Sequence, residues 1–308
     1  MRVLRFPGDL PGVGSLAVAG LAPADVAAVA AVVSGEARGA VVEADNLDLL
    51  GALPDGSVGL VYADPPFATG KRRRLASIRL GAGERTRPGF RGGEERYEVV
   101  SDMAYDDVMP LGEHLGALEL RLREIHRVLA PDGSVYIHVD WRTVHHVRLL
   151  LDRVFGAEQF LNEIVWAYDY GGRARDRWPR KHDSILWYAK GETWVFDRDA
   201  IDRIPYLSPG LAGPEKAARG KLPTDVWWMT IVPPGSRERT GYPTQKPIRL
   251  LQRIVAASSR LGDLVVDPYA GSGTTGVAAQ GLGRRWLLAD SNPEAVAIAR
   301  RRLAEDPR

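Results

Sequence analysis

An apolar run, Val265-Val266-Asp267, passes through Pro268-Tyr269-Ala270 into Gly271-Ser272-Gly273-Thr274-Thr275 and then into a helical pattern. A strand that turns through small residues into a helix belongs to an α/β domain, in which helices cover a mainly parallel sheet. The two glycines let the backbone bend tightly and let a ligand approach it closely. Roughly twenty residues on, the next apolar run, Trp286-Leu287-Leu288-Ala289, ends in Asp290, where nucleotide-binding α/β folds place an acidic residue on ribose hydroxyls. The unit is therefore expected to bind an adenosine-containing ligand. The loop has neither the third glycine of the dinucleotide fingerprint nor the Lys of a P-loop, which disfavours NAD and ATP.

The rest of the chain keeps the same rhythm. Strands are expected at Val58 to Ala63, Ser134 to Val139, Ile185 to Tyr188, Leu264 to Asp267 and Trp286 to Ala289. Helices are expected at Glu113 to Leu129, Val144 to Phe155, Pro247 to Ser258, Thr274 to Gln280 and Pro293 to Leu303, with Val26 to Val33 as a short alanine-rich one. The fold class is α/β, Rossmann-like. Two segments break the pattern. Residues 69–101 are rich in Gly and Arg, including Arg72, Arg73 and Arg74, and read as a long mobile basic loop. Residues 168–241 mix Gly, Pro, Arg and Trp without a clean period and read as an embedded, partly separate region. Residues 1–40 then form an N-terminal extension, and 41–308 the main domain.

Composition excludes several classes. No apolar run reaches the roughly 18–20 residues that span a bilayer, and Val26 to Val33 follows Asp25 rather than a basic segment, so neither a membrane span nor a signal peptide is read. A cytoplasmic location is expected. The absence of cysteine removes disulfides, thiolate metal sites and a cysteine nucleophile, and with it methylation at carbon 5 of cytosine, which needs a thiolate. The net charge of only +2 does not announce a nucleic-acid binder, so the local clustering of arginines carries that question.

The second strong signal is Asp64-Pro65-Pro66-Phe67, directly after the Val58 to Ala63 strand. Consecutive prolines restrict the backbone and remove two donors, leaving carbonyls free for a ligand. Asp64 adds an acceptor at the carboxyl edge of the sheet, and Phe67 an apolar face beside it. An exocyclic amino group on a base is a poor nucleophile because its lone pair is delocalised into the ring. Two acceptors, the Asp64 carboxylate and the Pro65 carbonyl, can bind its two hydrogens, while Phe67 stacks on the base. Reaching that group inside a duplex means flipping the base out. S-adenosylmethionine, an adenosine without a pyrophosphate, suits such a site as methyl donor. A rigid loop with a helix-capping Asp is the plainer reading of the tetrapeptide alone.

With these motifs in this order, the chain resembles the N4-cytosine/N6-adenine DNA methyltransferase family in its beta arrangement, catalytic tetrapeptide early and glycine loop late. The resemblance runs from about Val41 to Leu303. Asp64, Pro65, Pro66 and Phe67 match the catalytic motif. Asp45, within Glu43-Ala44-Asp45-Asn46, matches the acidic residue that contacts the cofactor adenine, although the family commonly has Gly before it and Cys or a similar residue after it. Arg180 to Lys190 is similar to a later core strand. Tyr242-Pro243-Thr244-Gln245-Lys246-Pro247 resembles the motif that closes over the methionine end of the cofactor, which makes Thr244, Gln245 and Lys246 cofactor candidates. Asp267, Tyr269, Gly271, Ser272, Gly273 and Thr274 match the glycine loop, with Tyr269 where Phe is usual, and Asp290 matches the ribose contact.

The resemblance implies S-adenosylmethionine as cofactor and double-stranded DNA as partner, and is compatible with a cognate restriction endonuclease and a homodimer. It makes residues 168–241 a target-recognition region. Arg72, Arg73 and Arg74, and Arg173, Arg175, Arg177 and Arg180 around Trp178, become DNA-contact candidates. A tetrapeptide beginning with Asp favours adenine N6 over cytosine N4. An RNA or small-molecule N-methyltransferase, or a silent cofactor-sensing DNA binder, are the rival readings. No metal site is expected: His145 and His146 are adjacent on one helix, and His138 alternates with apolar neighbours as a core histidine would. At least one of Trp227 and Trp228 is expected in the core.

Overall fold

The structure is a computed structural model that describes residues 20–67, 71–88, 94–107, 110–171, 173–233 and 235–304. Over 71–88 and 94–107 it describes the backbone, and the side chains of Thr86 and Arg96 only. In chain order the elements are α1 (Pro23–Ser34), β1 (Gly39–Glu43), α2 (Asn46–Gly51), β2 (Val58–Ala63), β3 (Lys71–Pro88), β4 (Glu94–Asp107), α3 (Leu111–Val128), β5 (Leu129–Val139) and α4 (Val144–Phe155). A single 3-10 turn leads into β6 (Phe160–Ala167), followed by β7 (His182–Ala189), α5 (Pro209–Ala212), α6 (Pro214–Arg219), β8 (Val226–Trp228), α7 (Ile248–Ser258), β9 (Leu264–Asp267), α8 (Thr274–Gly281), β10 (Arg285–Asp290) and α9 (Pro293–Ala304).

Eight of these strands form one sheet in the order β1-β10-β9-β2-β5-β7-β6-β8. Every neighbouring pair is parallel except β5·β7 and β7·β6, so β7 alone runs against the rest. Both faces are covered, as parallel sheets require. Alternation along the strands sends Val61 and Ala63 of β2, with Leu287 and Ala289 of β10, into a core under α1 to α4. It sends Leu60 and Tyr62, with Trp286 and Leu288, into a second core under α7, α8 and α9. This three-layer sandwich is the expected α/β class. The parallel direction brings the ends of β1, β2, β5, β6, β9 and β10, and the start of β7, to one edge. Adjacent strands β9 and β2 lead outward in opposite directions there, the switch point where open sheets bind ligands.

Three boundary readings change. The expected basic loop is an antiparallel ribbon, β3 paired with β4 from Lys71↔Asp107 to Pro88↔Glu94 and, among the described residues, with no other strand. Its Gly and Arg content hid the Leu75, Ile78, Leu80, Tyr97, Val99 and Met103 positions that give it strand character. The N-terminal extension is no appendage, because Leu21, Val29 and Val32 are buried in the first core. Residues 168–241 are not wholly apart from the sheet: they contain β7, which extends the expected Ile185 to Tyr188 strand, and β8, which pairs with β6. Trp227 is buried and donates Nε1–H to the Thr224 carbonyl at 2.7 Å, while Trp228 is exposed.

Candidate active site

At the switch point, the carboxyl ends of β1, β2, β9 and β10 surround a cavity of about 380 Å³, within the roughly 300–1,000 Å³ typical of ligand pockets. Four carboxylates line it, Asp45, Asp64, Asp267 and Asp290, against the cations Arg121 and Lys246. The tight turn after β9 depends on positive φ at Gly271 (+49°) and Gly273 (+76°). Asp290 fixes it by accepting from Gly271 N at 2.8 Å, with its other oxygen taking Asn292 N at 2.9 Å. Burial pushes the Asp290 carboxyl above its ordinary value. Asp267 is more extreme. Burial drives it up to about 7, the negative charges of Asp64 and Asp290 add to the rise, and hydrogen bonds from Thr275 Oγ1 (2.5 Å) and Tyr269 N (2.9 Å) oppose it.

Asp64 stands at the end of β2. Its Oδ2 accepts from Lys246 Nζ, whereas Oδ1 is buried with no hydrogen-bond partner among the described residues. Pro65 is buried behind it, and Phe67 projects beside both, its ring 5.9 Å from Lys246 Nζ and 6.2 Å from the His138 ring. Behind Phe67 runs a buried polar chain. The Tyr62 hydroxyl bonds His138 Nδ1 at 2.7 Å, His138 Nε2 lies 3.3 Å from Asp183 Oδ2, and the Tyr168 hydroxyl donates to Asp183 Oδ1 at 3.3 Å. His138 is thus a satisfied core histidine, yet one that packs on Phe67 of the tetrapeptide. Burial works against a charged Asp183, but the His138 hydrogen bond and the nearby charges hold its carboxyl below the ordinary value.

The structure brings Asp45, Thr244, Lys246, Asp267, Tyr269, Gly271, Ser272, Thr274 and Asp290 to this cavity with all four tetrapeptide residues. Gln245 and Gly273 do not line it. Gln245 turns back on its own loop, accepting from Thr240 N and Oγ1 at 2.8 Å each and donating to the Glu238 carbonyl at 2.6 Å. Gly273 lies beneath, where α8 begins, against Ala299 of α9. Lys246 reaches Asp64 rather than standing apart from the tetrapeptide. Arg121 of α3 was not foreseen: it donates to both oxygens of Asp45 (3.0 and 3.2 Å) and to Asn46 Oδ1. On an amphipathic helix such a residue reads as surface, and nothing in its spacing marks it.

The arginines divide. Arg173, Arg177 and Arg180 line a second cleft next to Phe67, while Arg175 is exposed outside it. The backbone of Arg72, Arg73 and Arg74 lies in β3, and their side chains lie outside the described residues. Among the described residues no cluster of His, Asp and Glu could hold a metal ion, and no helix is long and apolar enough to cross a membrane.

An acidic cavity at the switch point of a mainly parallel sheet, beside an Asp-Pro-Pro-Phe turn, defines the class of Rossmann-like methyltransferases. Residues 58–301 match the DNA methylase family model of N6/N4 type. The chain belongs to this family of adenine-N6 or cytosine-N4 DNA methyltransferases. It is 30% identical over 256 residues to type II methyltransferase M.HpaI of Haemophilus parainfluenzae, covering 82% of this chain and 69% of that one. It is also 30% identical over 272 residues to DNA adenine methyltransferase YhdJ of Escherichia coli K12, covering 85% and 82%. Its fold is that of the cytosine-N4-specific PvuII DNA methyltransferase (TM-score 0.61, 17% identity, 86% of each chain). The M1.HpyAVI–SAM complex has the same fold (TM-score 0.54, 20% identity, 86% of this chain and 98% of that one).

Proposed function

We propose that this chain transfers the methyl group of S-adenosylmethionine, the donor used by its family, to adenine N6 in double-stranded DNA. The observation that carries the reading is Asp64: a carboxylate at the switch point, one of whose buried oxygens has no partner among the described residues, between a cofactor-sized cavity and an aromatic ring. The residues present suit the donor. It is a sulfonium with an ammonium group, and the cavity supplies more carboxylates than cations. Asp290 and Asp45 stand at the ends of β10 and β1 to take the ribose and adenine, and Gly271 lets the ligand lie against backbone. When bound, the donor supplies an electrophilic methyl group.

The chain's own residues do the rest. Asp64 and the Pro65 carbonyl accept the two amino hydrogens and free the nitrogen lone pair, and Phe67 holds the flipped base in line. The His138–Asp183 chain keeps the floor behind Phe67 rigid. Adenine is preferred because the tetrapeptide opens with Asp, and because a relative matched over 82% of its length is named an adenine methyltransferase. Arg72, Arg73, Arg74, Arg173, Arg175, Arg177 and Arg180 are the DNA contacts of this reading. A cytoplasmic location, a partner restriction endonuclease and a homodimer belong to it as well.

The test is to incubate the protein with labelled S-adenosylmethionine and mixed-sequence duplex DNA, digest to nucleosides and identify the product. N6-methyladenine establishes the reading, and N4-methylcytosine overturns the choice of base. Label appearing in RNA or small amines while DNA stays unlabelled overturns the substrate.

A further inference from the structure

Phe67 forms a wall of two cavities. Beyond the cofactor cavity lies a cleft of about 480 Å³, built where β5 and β6 end and β7 begins. Its charge is opposite in sense to that of its neighbour: four guanidinium groups, from Arg142, Arg173, Arg177 and Arg180, against the carboxylates of Asp140 and Asp183. Two indoles complete it, and they are in different states. Trp141 carries the Arg180 guanidinium at 3.6 Å from its ring centroid and that of Arg142 at 4.6 Å. Trp178 is 92% exposed, and among the described residues nothing stacks on it. A bare indole beside four cations has no packing role.

Resting on the DNA reading above, we propose that this cleft holds the nucleotide next to the target base on the same strand, its base stacked on Trp178 and its phosphate held by Arg173 and Arg180. A guanidinium stacked on an indole keeps its N–H edges free, so Trp141 orients Arg180 without consuming its donors. Arg177 is different, because Asp176 already takes two of its N–H groups, at 2.5 and 3.0 Å. Arg142 is held by Asp140 and lies with it against β5. Extruding a target base onto Phe67 draws the adjoining backbone over this cleft, because the two cavities share that ring. Stacking on an indole tolerates any base, so the subsite adds affinity without adding sequence preference.

The test measures binding of a fluorescein-labelled mixed-sequence duplex, and of its single strand, to the full chain at several salt concentrations. Calorimetric binding of S-adenosylmethionine serves as the check that each variant is folded. Trp178→Ala is expected to weaken single-strand binding about 5- to 150-fold with an unchanged salt slope, and Trp178→Phe to recover most of that loss. Arg180→Ala is expected to lower the salt slope by about 0.7 on the single strand and about 0.9 on the duplex, one phosphate's worth. A Trp178→Ala protein that binds as tightly as the parent overturns the proposal, as does an unchanged slope in Arg180→Ala. A parent protein that takes up S-adenosylmethionine but neither nucleic acid instead overturns the DNA reading on which the proposal rests.

Discussion

Lys246 Nζ donates to Asp64 Oδ2, joining two residues 182 positions apart that line the same cavity. Both are largely buried, so the ammonium offsets the cost of holding an ionised carboxylate there, while Oδ1 finds no hydrogen-bond partner among the described residues. The main chain enforces the pairing, because Thr274 Oγ1 donates to the Lys246 carbonyl at 3.2 Å and ties this segment to the glycine loop.

Asp64→Asn is therefore expected to keep cofactor binding and lose transfer. The amide can present its NH2 where an acceptor is needed, and loss of one positioned hydrogen-bonding partner costs about 100-fold or more in kcat. Single-turnover methylation beside calorimetric cofactor binding reads the two separately. Equal loss of both would mean that Asp64 serves the cofactor and not the base.

Lys246→Met leaves the Asp64 carboxylate without its counter-charge. Removing one partner of a buried pair costs about 3–5 kcal/mol, and a pair that opens on a cavity sits at or below the lower end. Urea unfolding should show that loss, with Lys246→Arg recovering most of it. An unchanged midpoint in Lys246→Met would show that the pair contributes nothing to the fold.

Asp267 is expected to make stability and cofactor affinity depend on pH in opposite directions. Its folded pKa of about 7 lies above the unfolded value of 3.8, so the folded state binds the extra proton between them. Its contribution to stability is greatest below about pH 4 and is lost as pH rises through about 7. A cationic ligand favours the ionised carboxylate, so affinity for S-adenosylmethionine should rise through that same window and binding should release protons. Calorimetry in buffers of different ionisation enthalpy measures the release. Asp267→Asn should abolish it and flatten the dependence of Tm on pH, and a release unaltered in that variant would assign it elsewhere.

How much of this was legible in the sequence follows from the range of the interactions. The strand–glycine loop–helix unit, the Asp64 turn and the helices α4, α7 and α9 were read almost to the residue, because short-range periodicity and turn chemistry define them. The ribbon β3–β4 was not, since its glycines and arginines mask an alternation whose two halves pair across the chain. Gln245 is a cofactor candidate by motif resemblance, together with Thr244 and Lys246, which line the cavity, whereas its own amide closes hydrogen bonds five and seven residues back. Arg121 and the Tyr62–His138–Asp183 chain join residues 45 to 76 positions apart, a distance at which a single sequence carries no spacing signal.

The two loop glycines should respond differently to alanine, and the difference separates folding from binding. Both have positive φ, where an alanine costs about 1–2 kcal/mol. At Gly273 the new methyl would stand 2.8 Å from Ala299 Cβ and 3.2 Å from its Cα, a helix α9 position that cannot yield without moving the helix. Overpacking adds a further 1–3 kcal/mol or so. Gly273→Ala is accordingly expected to lower unfolding free energy by about 2–5 kcal/mol, with cofactor affinity falling only as the folded fraction falls. At Gly271 the nearest atom is Cε1 of Tyr242, 3.0 Å away on a ring that can shift. There the smaller stability loss should come with a clear drop in S-adenosylmethionine affinity, because both Tyr242 and Gly271 line the cavity. Urea midpoints and calorimetric Kd values for the two variants decide it. If Gly271→Ala binds the cofactor as the parent does, the loop backbone is not the surface against which the ligand lies.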